Sequence, residues 1–251
     1  MADISIWKEK FRISHSLVAP DGIASIHGLA YCLQEAAINH ASAARLGYDE
    51  LIKLNLAWVL TRQLIKLYKI PRLNEKITVE TWAAGMTDTI AIRDFNILNK
   101  EQNIMGICRS SWMLINLNLR KPVRIPEEMR NLLPKNPGRL KEDVELEKIP
   151  LSENSEGNDS SYKVVYSDLD MNHHVNNINY LKWVLDDFDY SYRQKFRLGS
   201  IEINYLAEAF FGDQLVRNTV QINDHEFLTK IISNKFLKPI LSSRTKWLPK
   251  D

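Results

Sequence analysis

Residues 25–46 read SIHGLAYCLQEAAINHASAARL, an alanine-rich stretch in which apolar residues recur at spacings of three and four. The residues that share this spacing are Leu29, Leu33, Ala36, Ala37, His40 and Ala44. The spacing places them on one face of a helix, and the small alanine side chains let neighbouring elements approach closely. Gly47 follows at a typical C-cap position. The sequence therefore predicts a helix over about 25–46 that other elements wrap.

Segments typical of β-strands follow this helix. They cover residues 58–67, 76–82, 89–99 and 105–117, and a shorter segment of the same kind at 11–15 precedes the helix. A long helix followed by a run of antiparallel strands is an α+β pattern, which differs from the alternating order of parallel α/β folds.

The same order of elements returns in the second half of the chain. A short strand is predicted at 162–166, a helix at 177–188, and strands at 197–207, 214–222, 227–233 and 238–247. Between the halves, residues 122–161 contain five prolines and end in a polar run, which is typical of a connector with one short helix near 126–133. We therefore predict two copies of one strand–helix–sheet unit, at 1–134 and 161–251, joined by a linker at 135–160.

Composition and motifs exclude several classes of function. Lys and Arg total 33 and Asp and Glu total 31, so the net charge of +2 lacks the basic excess of nucleic-acid-binding domains. The sequence contains no P-loop, no Gly-x-Gly-x-x-Gly motif and no Gly-x-Ser-x-Gly elbow. Its two cysteines share no metal-site spacing with the histidines. We therefore expect no metal and no cofactor.

The sequence also bears on location. The N-terminal residues lack the apolar core of a secretory signal. No stretch reaches the roughly 18 apolar residues that a membrane helix needs. We expect a cytoplasmic protein with reduced thiols and no membrane insertion.

The densest polar cluster is at residues 167–177, which read SDLDMNHHVNN. In an extended chain, Asp170, Asn172 and His174 would face the same side. A carboxylate, an amide and an imidazole around one site offer a base or nucleophile, an orienting group and a proton carrier. The start of the following helix, at Asn176 and Asn177, adds N–H groups that could stabilise an oxyanion. The other use of such Asp and Asn residues is to cap the helix and form the turn.

This cluster resembles the signature of the acyl-ACP thioesterases. The matching residues are Ser167-Asp168-Leu169-Asp170-x-Asn172-x-His174-Val175-Asn176-Asn177-x-x-Tyr180-x-x-Trp183. Further similar segments lie at 58–62, 79–82, 93–95, 110–116 and 124–128, in the order of that family, so the resemblance extends from about residue 7 to residue 247. It implies a double hotdog fold, in which two antiparallel sheets each wrap a central helix. It also implies hydrolysis of fatty acyl-[acyl carrier protein], which releases free fatty acid and terminates chain elongation.

The resemblance assigns roles to residues. It implies a catalytic set of Asp170, Asn172, His174 and Glu208, the last within the similar segment 201–209. In plant members a cysteine follows this glutamate, whereas here the residue is Ala209, which argues against a cysteine nucleophile.

The resemblance also implies different roles for the two halves of the chain. It implies that the first unit holds the acyl chain. The lining residues that we expect there are Leu29, Leu33, Ala36 and Trp58. Residues 16–22, which correspond to the acidic loop, lack its pattern, so we expect catalysis once per chain.

Mechanism, function and partners each leave alternatives open. Glu208 or Asp170 could act as general base on water, or Asp170 could attack the thioester and form a mixed anhydride. The protein could instead hydrolyse acyl-CoA, act as a dehydratase of a related fold, or bind acyl chains without turnover. Acyl carrier protein is acidic, so the basic clusters at 120–124 and 193–197 are candidate docking surfaces. A homodimer through a sheet edge also stays open.

Overall fold

The chain forms two compact units, at residues 1–146 and 147–251. The computed structural model describes residues 5–132, 140–151, 158–235 and 237–250. Of the predicted linker, residues 135–139 and 152–157 lie outside the described residues. Among the helices in the described ranges, none is long and apolar enough to cross a membrane.

The first unit contains a five-stranded antiparallel sheet with one long helix. Its elements are β1 (Trp7–Arg12), α1 (Ile26–Ala43), α2 (Tyr48–Lys53), β2 (Leu56–Leu67), β3 (Lys76–Met86), β4 (Ile90–Leu98), β5 (Ile104–Asn116), the two-residue β6 (Lys121–Pro122) and α3 (Glu127–Asn131). The strand order is β1-β3-β4-β5-β2, and β6 pairs with β5. Helix α1 packs against β1 and β3, so the predicted central helix is confirmed.

Helix α1 begins at the predicted place and ends earlier than predicted. The Ser25 side chain accepts a hydrogen bond from the Gly28 N–H at 3.1 Å and caps the helix. At the other end, Arg45 has a φ of 58° and its N–H donates to the Ser42 carbonyl, so the helix closes before residue 47. The prediction of Gly47 as the C-cap was therefore wrong, because Gly47 is the N-cap of α2.

The second unit repeats this arrangement. Its elements are β7 (Asn158–Lys163), α4 (Asn177–Leu185), α5 (Tyr190–Lys195), β8 (Phe196–Tyr205), β9 (Gln214–Asn223), β10 (Glu226–Ser233) and β11 (Lys238–Pro249). The strand order β7-β9-β10-β11-β8 is the order of the first unit with each strand replaced by its counterpart. The predicted duplication and the α+β hotdog fold are confirmed.

Two boundaries differ from the prediction in the second unit. The predicted helix at 177–188 ends at Leu185, and α5 follows because the Asp189 side chain accepts the Tyr192 N–H at 2.7 Å. The strand predicted at 162–166 ends at Lys163, since the chain next enters a 3₁₀ turn at Tyr166–Asp168. The first unit has the same feature, where a 3₁₀ turn at His15–Leu17 follows β1.

Residues 140–151, which lie within the predicted linker, are bonded to strands of their own units. Residues 140–151 form no helix or strand. Within the first unit, Glu142 pairs with Lys66 of β2 at 2.6 Å. Within the second unit, the Ile149 N–H donates to the Asn204 side chain of β8 at 3.0 Å. This segment therefore satisfies polar groups on strands.

Candidate active site

The polar cluster lies on a closed turn between the 3₁₀ turn at Tyr166–Asp168 and helix α4. Leu169 and Val175 form an antiparallel bridge, and the Asp170 N–H donates to the His174 carbonyl at 2.8 Å. His173 has a φ of 63°, in the left-handed region that tight turns use. The expectation of an extended segment with alternating side chains was therefore wrong, since the chain reverses between Asp170 and His174.

Asp170 holds this turn together. Its Oδ1 accepts hydrogen bonds from the Asn172 N–H at 2.8 Å and from the His174 N–H at 3.3 Å. This is the way aspartate stabilises local turns. No hydrogen bond to Asp170 Oδ2 occurs among the residues that the structure describes. One carboxylate oxygen thus has a structural role, and the other is left for a ligand or for water.

His174 and Glu208 contact each other. His174 Nδ1 lies 3.4 Å from Glu208 Oε1, and both side chains are partly exposed. The backbone brings them together, because the Val175 N–H donates to the Ala209 carbonyl at 3.0 Å and His174 bridges to Phe210. The Phe210 ring meets the imidazole edge-on, with ring centroids 5.1 Å apart. With Nδ1 directed to Glu208, Nε2 is the nitrogen left for chemistry.

The structure does not bring the Asn172 side chain into this group. Asn172 is exposed, and its N–H is the group that bonds Asp170. Within the described parts of the chain, its side chain makes no hydrogen bond to the other three predicted residues. Asp170, His174 and Glu208 are therefore linked, while Asn172 lies beside them.

The start of α4 supplies fewer amides than predicted. The Asn176 N–H donates to the Asp168 carbonyl at 2.9 Å, and the Asn176 side chain accepts the Ile178 N–H at 3.0 Å. Asn176 thus caps the helix with its side chain, while its own N–H is used by the Asp168 carbonyl and is not available as an oxyanion donor. The Asn177 N–H has no partner in the described ranges, so of the two predicted donors it is the one that remains available.

The first unit contains the same turn without the polar set. Its Ala19 N–H donates to the Ile23 carbonyl at 2.8 Å, as Asp170 does to His174, and its Ala24 N–H donates to the Pro71 carbonyl at 2.7 Å, as Val175 does to Ala209. The positions of Asp170, Asn172, His174 and Glu208 are taken there by Ala19, Asp21, Ile23 and Ile70. Of the two described turns, only the one in the second unit therefore has a carboxylate–imidazole pair.

Tyr180 is a polar residue of the site region to which we assigned no role from sequence. Its side chain is buried on α4. Burial raises the pKa of Tyr180, the Ala209 backbone opposes this, and the charges of Glu208, Asp213 and Asp170 raise it further. The phenol is therefore a neutral hydroxyl close to the carboxylates. Its only sequence signal was its place in the quoted signature.

The predicted acyl-binding residues form two groups in the first unit. Leu29, Leu33 and Ala36 are at most 1% exposed and share the buried face of α1. Trp58 lies on β2, where its indole N–H donates to the Leu46 carbonyl at 3.3 Å. Its ring packs against the cluster of Leu51, Leu114 and Ile125.

One arginine in each of the two basic clusters makes contacts within the protein. Arg193 donates to the carbonyls of Leu185 and Phe188, which closes the end of α4. Arg124 pairs with Asp88 at 2.6 Å. These contacts orient the two arginines along the protein surface, and docking at either cluster stays a prediction.

The cysteines are buried and free. Burial raises the pKa of Cys32 to about 12 and that of Cys108 further. A thiol with a raised pKa is not a nucleophile at neutral pH. Of the side chains in the described ranges, no group of three or more His, Cys, Asp or Glu is placed to hold a metal ion.

Comparison with known proteins gives consistent matches over both units. The model of the acyl-ACP thioesterase N-terminal domain matches residues 5–133, and that of the C-terminal domain matches residues 151–248. A palmitoyl-acyl carrier protein thioesterase of Gossypium hirsutum is 27% identical over 98% of this chain, and an oleoyl-acyl carrier protein thioesterase of Arabidopsis thaliana is 29% identical over 92%. The chain spans about two thirds of the length of these curated relatives, 64% and 67%.

Solved structures match as well. The crystal structure of an acyl-ACP thioesterase from Bacteroides thetaiotaomicron has a TM-score of 0.86 and 28% identity, and the match covers 97% of this chain and 98% of that one. A 12:0-ACP thioesterase from Umbellularia californica has a TM-score of 0.88 at 24% identity, with 100% and 99% of the two chains covered, which supports the fold.

Proposed function

The chain belongs to the acyl-ACP thioesterase family, and we propose that it hydrolyses the thioester of fatty acyl-[acyl carrier protein], releasing free fatty acid and terminating chain elongation. One observation carries the proposal. His174 contacts Glu208 at 3.4 Å beside a turn held by the Asp170 carboxylate, at the N-terminal end of a helix. The equivalent turn of the first unit lacks this set. The relatives named above are thioesterases that act on palmitoyl- and oleoyl-acyl carrier protein.

The proposed reaction uses water as the nucleophile. Glu208 holds His174 through Nδ1, and Nε2 takes a proton from a water molecule as its oxygen attacks the thioester carbonyl carbon. The C–S bond then breaks, and the proton passes from His174 to the departing thiolate. The products are a fatty acid and the carrier with a free thiol. In this scheme Glu208 is a positioning residue and His174 is the base.

Charge on the carbonyl oxygen is stabilised by the start of α4. The Asn177 N–H is the proposed donor, supported by the partial positive charge of the helix N-terminus. Asn172, exposed beside the turn, is the proposed contact to water or to the thioester.

Attack by Asp170 is the competing mechanism. Its Oδ1 already accepts two backbone hydrogen bonds, which lowers its nucleophilicity, whereas Oδ2 has none from the described residues. Turnover in ¹⁸O-labelled water followed by mass spectrometry of the Asp170 peptide distinguishes the two. Label in Asp170 would contradict direct attack by water.

We further propose that the two units have different roles. The first, predicted as residues 1–134, binds the acyl chain along the α1 face of Leu29, Leu33 and Ala36, with Trp58 as a further contact. The second, predicted as residues 161–251, carries out hydrolysis. A cytoplasmic location and a homodimer stay predictions, which cell fractionation and light scattering can check.

The direct test is release of free thiol from matched acyl-ACP and acyl-CoA substrates. Faster release from acyl-ACP, lost in His174→Ala, is the expected result. Release from acyl-CoA alone would assign an acyl-CoA thioesterase instead. Binding of acyl chains with no release from either substrate would contradict any hydrolase function.

A further inference from the structure

Exposed apolar side chains concentrate around the candidate site. Tyr166 is 83% exposed, Met171 69% and Phe211 65%. They lie on the 3₁₀ turn, on the Asp170 turn and beside Glu208. Backbone bonds hold these segments together, because the Val164 N–H donates to the Asp213 carbonyl at 2.9 Å and His174 bridges to Phe210. Large exposed apolar groups that cluster at one place mark an interaction surface.

Two lysines lie at the same end of the sheet. Lys163 ends β7 and pairs with Gln214, while Lys238 begins β11 and pairs with Ser233. The Asn234 N–H donates to the Gln214 carbonyl at 2.9 Å, which joins the two strand ends. Both lysines are exposed, and neither forms an ion pair with a carboxylate within the described ranges.

Backbone contacts connect this end of the sheet to Glu208. The Leu206 and Ala207 N–H groups donate to the Ile240 carbonyl, at 2.8 and 3.2 Å. Ile240 lies two residues after Lys238, and Ala207 directly precedes Glu208. The lysines and the site residues therefore emerge from the same end of the second unit's sheet.

The nearby carboxylates outside the site are turned toward the backbone. Asp168 Oδ2 accepts the Val165 N–H at 2.8 Å, and Asp213 Oδ2 accepts the Phe210 N–H at 2.9 Å. Charge-assisted bonds of this kind hold the carboxylates in place. Among the described residues, neither carboxylate forms an ion pair with Lys163 or Lys238.

We propose that Lys163 and Lys238, with the apolar rim of Tyr166, Met171 and Phe211, form the surface on which acidic acyl carrier protein docks. The proposal rests on the proposed function. In this proposal the lysines attract acyl carrier protein. The apolar rim contacts its 4'-phosphopantetheine arm, which brings the thioester to His174. Complementary charge of this kind raises the rate of association and is screened by salt. We favour this surface over the clusters at 120–124 and 193–197, in each of which one arginine side chain is already bonded elsewhere.

Charge reversal tests the surface. Lys163→Glu and Lys238→Glu should each lower kcat/KM for acyl-ACP about five-fold at low ionic strength, with a smaller effect at high salt. Hydrolysis of an acyl-pantetheine, which has no protein carrier, should stay unchanged. Lys246→Glu is the matched control, because Lys246 is exposed and lies toward the opposite end of β11 from Lys238, outside both basic clusters.

The outcomes separate the docking surface from the function itself. If the wild-type protein hydrolyses neither substrate, the proposed function fails. If it hydrolyses acyl-ACP but the Lys163 and Lys238 variants match Lys246→Glu, the docking surface is wrong. An equal loss on acyl-pantetheine would also overturn it, since the lysines would then act on the site. Circular dichroism of each variant confirms that it is folded.

Discussion

Asp170 combines a structural and a chemical role in one carboxylate. Its Oδ1 accepts the N–H groups of Asn172 and His174, so the aspartate fixes the backbone that carries the imidazole. Its other oxygen and its charge are available to the reaction. Substitutions that keep or remove the acceptor can separate these roles, since an amide oxygen accepts the same two bonds but carries no charge.

We expect Asp170→Asn to stay as stable as the wild type and to lose most of its activity. Asp170→Ala should lose activity and also about 1–2 kcal/mol of unfolding free energy, because both turn bonds disappear. Urea unfolding and thiol release measured on both variants provide the check. An active Asp170→Asn would show that the charge is dispensable.

At the scale of elements, a buried ion pair holds the end of α4. Arg217 on β9 pairs with Asp187 at 2.6 Å, and the two side chains are 5% and 10% exposed. The same guanidinium donates to the Trp183 carbonyl and to the Tyr162 hydroxyl. This network joins the helix to β7 and β9, and it thereby fixes the helix whose other end bears the site.

Asp187→Ala should therefore lower the unfolding free energy by about 3 kcal/mol, because it leaves a buried guanidinium without its counterion. Asp88→Ala is the control. Asp88 also pairs with arginine, but its side chain is 50% exposed, so its loss should cost under about 1 kcal/mol. If chemical denaturation shows that Asp187→Ala and Asp88→Ala lose the same unfolding free energy, the larger contribution expected of the buried pair is wrong.

Much of the element order could be predicted from sequence, and the errors have local causes. The central helix and the long strands carry strong periodicity. The six-residue helices α2 and α5 are too short to show it. The alternation rule failed at Asp170–His174, since the aspartate side chain competes for backbone N–H groups and folds the segment into a turn. Glu208 was found by resemblance alone, because its contact with His174 depends on backbone pairing between distant segments.

At the scale of the whole molecule, the chain is a duplicated unit with one specialised copy. The two turns share their backbone hydrogen bonds, yet the first has Ala19 and Ile23 where the second has Asp170 and His174. Both copies keep the same backbone structure because backbone hydrogen bonds can form with many different side chains. The polar groups of one copy can therefore change without loss of the fold.

This asymmetry predicts one active site per chain. Asp21→Asn, in the turn of the first unit, should leave kcat for acyl-ACP within about two-fold of the wild type, since its carboxylate serves a local turn bond to the Ile23 N–H at 3.4 Å. Asp170→Asn makes the same chemical change in the turn of the second unit, where Asp170 stands at the position of Ala19. A comparable loss of kcat in Asp21→Asn and Asp170→Asn would contradict a single active site, because both units would then contribute catalytic groups.

The most direct test of the His174–Glu208 pair is the rate of thiol release from acyl-ACP by Glu208→Gln. We expect kcat to fall by about 10²–10⁴ while the thermal unfolding midpoint stays close to that of the wild type, because the amide retains the shape of Glu208 but cannot hold a protonated His174. A Glu208→Gln variant with kcat close to that of the wild type would contradict the proposed role of the His174–Glu208 pair.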